Sequence, residues 1–178
     1  MWQSNSIIKT VSISALVLFL SSCDYYTQLP DCEDYFRNNP VNSFSTDNRG
    51  LAQDKSTKLL WYRCAAGQSY KNSECKGEAL HLNWDEAMAF AEEFSEKSGK
   101  KWRLPSKKEL KSIMVNQCIN PAVDVTVFKG LEVNNFWTSS DSLNSDLFRC
   151  SVYNFKGDLF CRQPRAAKLP FLLVGGTK

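Results

Sequence analysis

The chain has 178 residues, 43% of them hydrophobic and 12% aromatic, which supports one domain with its own core and leaves little room for a second. A formal net charge of +3 is too mild to point to a nucleic-acid partner. Five Trp, eleven Phe and six Tyr indicate a compact fold with irregular loops packed on aromatic rings.

Residues 1–22 differ from the rest. Lys9 is the only charge before Asp24, and residues 11–20 (VSISALVLFL) form a short apolar run. A membrane-spanning helix needs roughly 20 apolar residues, so this run is too short to cross a bilayer. A weakly basic start, a short apolar core and small residues after it have the form of an export signal. Leu20-Ser21-Ser22-Cys23 resembles the lipobox of bacterial lipoproteins. That resemblance implies that residues 1–22 are a lipoprotein signal peptide and that Cys23 becomes the lipidated, acylated first residue of the mature chain. In the usual enterobacterial sorting rule, an aspartate directly after that cysteine keeps a lipoprotein in the inner membrane. Asp24 therefore favours the periplasmic face of the inner membrane, with the outer membrane or cell surface as the alternative.

A lipidated Cys23 also accounts for the odd number of cysteines. Seven are present, and setting Cys23 aside leaves Cys32, Cys64, Cys75, Cys118, Cys150 and Cys161. Six cysteines in an exported domain indicate three disulfides formed in an oxidising compartment, although sequence alone leaves the pairing open. Cys64 with Cys75 and Cys150 with Cys161 would each close a local loop, and Cys32 with Cys118 would tie the N-terminal segment to the middle of the domain. With no CxxC pair and a single histidine, His81, no metal site is expected.

Residues 23–43, beginning at the lipidated N-terminus, are polar, acidic and turn-rich, and are expected to form a tether; the folded domain is expected over residues 44–178. Residues 51–53 and 58–63, joined by a polar turn at 54–57, predict a hairpin. Asn83, with Glu86 three residues on, predicts a capped helix whose apolar face carries Trp84, Ala87, Ala91 and Phe94 and which ends at Gly99. Ser106-Lys107-Lys108-Glu109 after Pro105 is a second capping box, opening a short helix with Leu110, Ile113 and Met114 on its apolar side. Beyond Pro121 helical periodicity is lost. Residues 135–140 predict a strand or tight loop, residues 149–153 and 159–163 flank a turn at 154–158 as a hairpin, and residues 171–174 predict a final strand. Strands, two helices, then strands make an α+β domain.

Trp102-Arg103-Leu104-Pro105-Ser106-Lys107-Lys108-Glu109-Leu110 resembles the WRLP-x-x-x-EL signature of the Lcl C-terminal domain family. Gly50-Leu51, Leu60-Trp61-Tyr62-Arg63-Cys64, Gly67-Gln68, Trp84-Asp85-Glu86-Ala87, Asn120-Pro121-Ala122-Val123 and Phe136-Trp137-Thr138-Ser139-Ser140 are similar to further family motifs, in the family's order. The resemblance covers about residues 44–174. It implies a C-type-lectin-like fold, distantly akin to formylglycine-generating enzymes: short antiparallel sheets, two short helices and long loops, stapled by disulfides, with the chain ends meeting in a small sheet. The Cys150/Cys161 pair and the C-terminal strand depart from the family pattern. Arg103 is expected to be a structural cation paired with a buried carboxylate or with carbonyls.

Little in the sequence points to catalysis. His81 has no nucleophile motif around it, calcium and phosphate loops are absent, and a shared fold does not transfer an enzyme's activity. No catalytic residue and no cofactor are expected. Charge is more informative. Lys97, Lys100, Lys101, Arg103, Lys107, Lys108 and Lys111 are opposed locally only by Glu109, and a second basic set holds Arg149, Lys156, Arg162, Arg165 and Lys168. Lys107 and Lys108 also stand at a helix start, where the helix dipole disfavours cations. We take Lys100, Lys101, Arg103, Lys107, Lys108, Lys111, Arg149 and Arg162 as the candidate ligand-binding residues. A segregated basic face of this kind suits an anionic polymer, and the family's namesake adhesin, understood to bind sulfated glycosaminoglycans, points the same way. The expected function is non-enzymatic recognition by a lipid-anchored cell-envelope domain, of a sulfated or anionic glycan. The alternative is a periplasmic accessory that supports an envelope or pilus complex through protein contacts.

Overall fold

The computed structural model of the chain describes residues 29–143 and 145–175. The expected signal peptide, Cys23 and Asp24 lie outside the described residues. The domain is α+β, with three small antiparallel sheets, three helices and three disulfides among the described residues. In chain order its elements are α1 (Cys32–Asn38), β1 (Phe44–Thr46), β2 (Leu51–Asp54), β3 (Leu60–Tyr62), β4 (Ser69–Lys71), β5 (Glu74–Lys76), α2 (Trp84–Ser98), β6 (Trp102–Arg103), α3 (Lys107–Ser112), β7 (Asn135–Asp141), β8 (Phe148–Tyr153), β9 (Asp158–Pro164) and β10 (Val174–Gly175).

The largest sheet has the order β1-β2-β3-β10-β6, so the N-terminal strands and the last strand are neighbours. A three-stranded meander, β7-β8-β9, forms a second sheet, and β4-β5 is a separate hairpin inside the Cys64–Cys75 loop. Among the described residues a small apolar cluster holds Cys32, Phe36 and Cys118, and two large ones fill the interior. One gathers Trp61, Leu110, Val123, Phe128, Phe136, Val152, Leu172 and Val174; the other gathers Ala87, Ala91, Trp102, Leu104, Trp137, Phe171 and Leu173. Consecutive residues of extended chain point to opposite sides. Hence Phe136 and Trp137 on β7 serve different clusters, as do Phe171 and Leu172.

Local chemistry explains where α2 and α3 begin. Asn83 accepts a hydrogen bond from the Glu86 N–H at 3.0 Å while the Glu86 carboxylate accepts one from the Asn83 N–H at 2.9 Å. Gly99 ends α2 at φ 66°, a left-handed conformation that glycine adopts without penalty. At α3 the same reciprocal pair joins Ser106 and Glu109.

Two expectations change. Residues 32–38 of the expected tether form α1, with Cys32 and Phe36 buried and the Cys32–Cys118 disulfide holding the helix to the body. The folded part therefore begins upstream of residue 44, and the described helices number three rather than two. The final strand is shorter than expected, because residues 171–173 are extended and buried but only Val174–Gly175 enter a ladder. The six cysteines pair as Cys32–Cys118, Cys64–Cys75 and Cys150–Cys161. The first closes the longest loop, with a sequence separation of 86 residues. Replacing both Cys32 and Cys118 by alanine should cost about 4 kcal/mol in denaturant unfolding, more than removal of either local bridge, and should make α1 the first site of proteolysis.

Candidate functional site

The site begins at the corner between β6 and α3. Pro105 keeps the residue before it out of the helical region, and its carbonyl accepts a hydrogen bond from Ser139 N–H on β7 at 2.8 Å. Ser106 then starts α3. Glu109 serves twice: its Oε2 accepts the Ser106 N–H at 2.7 Å and an Arg103 N–H at 2.8 Å, and its Oε1 accepts a second Arg103 N–H at 2.7 Å. Arg103 also donates to the Leu104 carbonyl at 3.1 Å. The hydrogen bond from Arg103, helped by the Ser106 N–H against the opposing effect of burial, lowers the Glu109 carboxyl to about 2. Arg103 is thus the structural cation its motif suggested, held by the carboxylate that caps the next helix.

Two more of the eight candidates serve the fold. Lys111 donates through Nζ to the Gly157 carbonyl in the β8–β9 turn. Arg149, on β8, is only 6% exposed. Its guanidinium carbon lies 4.5 Å from the centroid of the Trp84 ring, and its Nη1 donates to the carbonyls of Phe148 at 2.8 Å and Asp146 at 3.0 Å. Its Nε faces the Asp141 carboxylate at 3.4 Å without a directed hydrogen bond. Arg165 approaches the same indole at 5.3 Å and forms a two-point ion pair with Asp85. Hydrogen bonding from Arg165 holds the Asp85 carboxyl below its usual range. Trp84 Nε1 donates to the Thr138 carbonyl at 2.8 Å, so the first residue of α2 is clamped to β7, β8 and the segment after β9.

The remaining five candidates stand differently. Lys100, Lys101, Lys108 and Arg162 are exposed and Lys107 is half-buried, and none forms an ion pair with a described residue. Lys107 offers its backbone N–H to Ser140 Oγ at 2.9 Å, which leaves the ammonium uncommitted. His81 Nε2 lies 2.7 Å from Glu132 Oε1, with both side chains partly exposed. Among the described residues no three His, Cys, Asp or Glu side chains converge in a metal-binding arrangement.

Three anchoring groups were not apparent from sequence. Arg63 donates to the carbonyls of Val127 at 2.8 Å and Thr126 at 3.0 Å, pinning the loop after α3. Asp124 shapes that loop by accepting the Thr126 N–H at 3.0 Å. Trp84 is the third: the sequence placed it on the apolar face of its helix and in the Trp84-Asp85-Glu86-Ala87 motif but gave no sign of its arginine and Thr138 partners.

These contacts separate structural cations from surface ones. Arg149→Met should lower stability by about 2–3 kcal/mol, and Arg162→Met should stay within about 0.5 kcal/mol of the parent, both by denaturant unfolding. Glu109→Gln keeps the cap but removes the charge, and the half-exposed partner limits its cost to about 1–2 kcal/mol at neutral pH. A lowered folded-state pKa gives stability that is complete above the ordinary glutamate value of 4.5 and is lost as pH falls towards about 2, so the two proteins should converge over that interval.

No curated protein matches the chain. The Lcl C-terminal domain model matches residues 50–174, which takes in the β6–α3 corner, both arginine clamps and every one of the eight candidate residues. The chain belongs to the Lcl C-terminal domain family.

Proposed function

We propose that this protein is a non-enzymatic binding module, anchored to the bacterial envelope through an acylated Cys23, that recognises an anionic glycan or similar polymer. The observation that carries this reading is the division among its basic residues. Arg103 pairs with Glu109, Lys111 donates to the Gly157 carbonyl and Arg149 is buried over Trp84, whereas Lys100, Lys101, Lys107 and Lys108 present ammonium groups that pair with no described carboxylate. Lys107 and Lys108 hold their places against the helix dipole, which makes a role outside stability the better account of them. A C-type-lectin-like fold suits this reading, and the presence of the N-terminal strands β1 to β3 and of β10 in one sheet supports it. Asp24 favours the periplasmic face of the inner membrane, in which case the polymer belongs to the envelope and not to a host.

A specific observation favours a second reading. Leu143 and Leu147, in the loop between β7 and β8, are 93% and 73% exposed, which suits an accessory protein that grips a neighbour in an envelope complex.

Binding of the mature protein to immobilised heparin, used as a sulfated probe, tests the first reading. Affinity should fall as salt rises, and Lys107→Gln with Lys108→Gln should weaken it by about tenfold while leaving the unfolding midpoint unchanged. Indifference to heparin, together with co-purification of an envelope protein that is lost on Leu143→Ser with Leu147→Ser, would establish the accessory role instead.

A further inference from the structure

Where the chain enters the fold decides which surface lies nearest its anchor. Asp31 forms a parallel bridge with Ile119, the Ile119 N–H donates to the Pro30 carbonyl at 3.0 Å, and Asn120 Nδ2 donates to Asp31 Oδ1 at 3.1 Å. The Asn120 N–H in turn donates to the Phe155 carbonyl at 2.9 Å, in the turn between β8 and β9. Pro30 and Asp31 therefore stand two chain spacings, about 10 Å, from that turn. Only five residues, Asp24 to Gln28, separate Cys23 from Leu29. Even fully extended, that stretch reaches about 20 Å. The β8–β9 turn of a domain held by acyl chains on Cys23 thus stays within about 30 Å of that anchor.

The hairpin has the composition such a position calls for. Tyr153 stacks on Phe155 with ring centroids 6.0 Å apart, and Leu159 and Phe160 on β9 are 45% and 48% exposed. The turn is stiff: Gly157 lies so close to Met114 that an added Cβ would come within 2.9 Å of the methionine Cβ, and Lys111 holds the Gly157 carbonyl. β9 is also the free edge of its sheet. A register break opposite Arg149 and Ser151, with Pro164 at the strand's end, makes it a poor template for another strand. Charges at this end are mixed: Asp31, Glu33, Asp34 and Asp158 stand with Arg37 and Lys156. Contact with the bilayer therefore rests on aromatic and aliphatic groups, not on net positive charge.

We propose that the β8–β9 hairpin rests on the lipid–water interface of the bilayer that holds the Cys23 acyl chains, with Tyr153 and Phe160, which share one face of the hairpin, at the headgroup boundary. This rests on the lipid-anchor reading above and adds an orientation to it. Unpaired edge groups of β9 keep the contact at the hydrated level, since they would be costly in hydrocarbon. Interfacial aromatic and aliphatic side chains reach about 5–10 Å into that boundary. A short tether makes the contact intramolecular, so an affinity too weak for a free domain suffices.

Hydrogen exchange on the mature lipoprotein tests this, with mass spectrometry of its N-terminal peptide run alongside. In phosphatidylcholine nanodiscs, amides of residues 153–162 should exchange several-fold more slowly than in the same chain produced without lipid from Asp24 onward. The protection should survive high salt. Tyr153→Glu with Phe160→Glu should abolish it while α2 keeps its own protection, which confirms that the fold is intact. An acylated N-terminus with unchanged hairpin exchange overturns this orientation and leaves the anchor standing. Absence of acyl mass on Cys23 overturns both. Protection in native membranes but not in pure-lipid nanodiscs would mean that a protein covers the β9 edge, and would overturn the lipid contact.

Discussion

Residues 171–174 constrain everything around them, because four consecutive side chains are shared between two cores. Phe171 and Leu173 fill one cluster, Leu172 and Val174 the other, and all are essentially solvent-free. Burial of each such side chain is worth about 1.5–3 kcal/mol, so this short segment supplies a large part of a stability that is itself only about 5–15 kcal/mol in most domains. Its backbone is equally committed. The Phe171 carbonyl accepts the Ala66 N–H at 2.9 Å, the Leu173 carbonyl accepts the Tyr62 N–H at 3.0 Å, and Val174 lies between Trp61 and Arg103 in the ladder. Neither half of the chain has a complete core without it.

Around that spine, cations are sorted by what they can reach. Four arginines sit where a planar guanidinium group finds two partners at once: Arg103 on Glu109, Arg165 on Asp85, Arg63 on two carbonyls, and Arg149 over an indole and on two carbonyls. Lysines, compact and strongly hydrated, stay mostly at the surface. The two basic sets that look continuous when counted along the chain are therefore different in kind. One supplies Arg149 and Arg165 to the clamp on Trp84, and the other, apart from Lys97, Arg103 and Lys111, faces solvent.

The elements most legible in the sequence are those governed by neighbours. Ser106 and Glu109, or Asn83 and Glu86, meet within one helical turn, so spacing alone locates both helix starts. The alternation of Phe136 and Trp137 and the turn at 154–157 are equally local. Helix α1 was hidden for the opposite reason. Its seven residues carry one buried ring, Phe36, and two adjacent acids, and it is held by a disulfide to a residue far along the chain instead of by helix propensity. The same applies to the long segment before β7, which buries Val123, Val127, Phe128 and Leu131 through turn chemistry set by Asp124, with no periodic pattern to reveal it. In the candidate site the arginines were visible as charges, but Arg165 meets Asp85 across 80 positions of sequence, and no count of local charge predicts that pairing.

The bond between Cys32 and Cys118 also fixes how the domain bears mechanical load. Tension arriving from upstream of Cys32 divides at the sulfur bridge and passes directly into Cys118, between α3 and the β7–β9 meander. Strands β1 to β3 lie inside the bridged loop and are shielded from a pull in series. Shear from flow or from a moving neighbour would thus be taken up by a covalent link at the domain's middle, and the N-terminal hairpin would stay zipped until that link or the sheet behind it gave way.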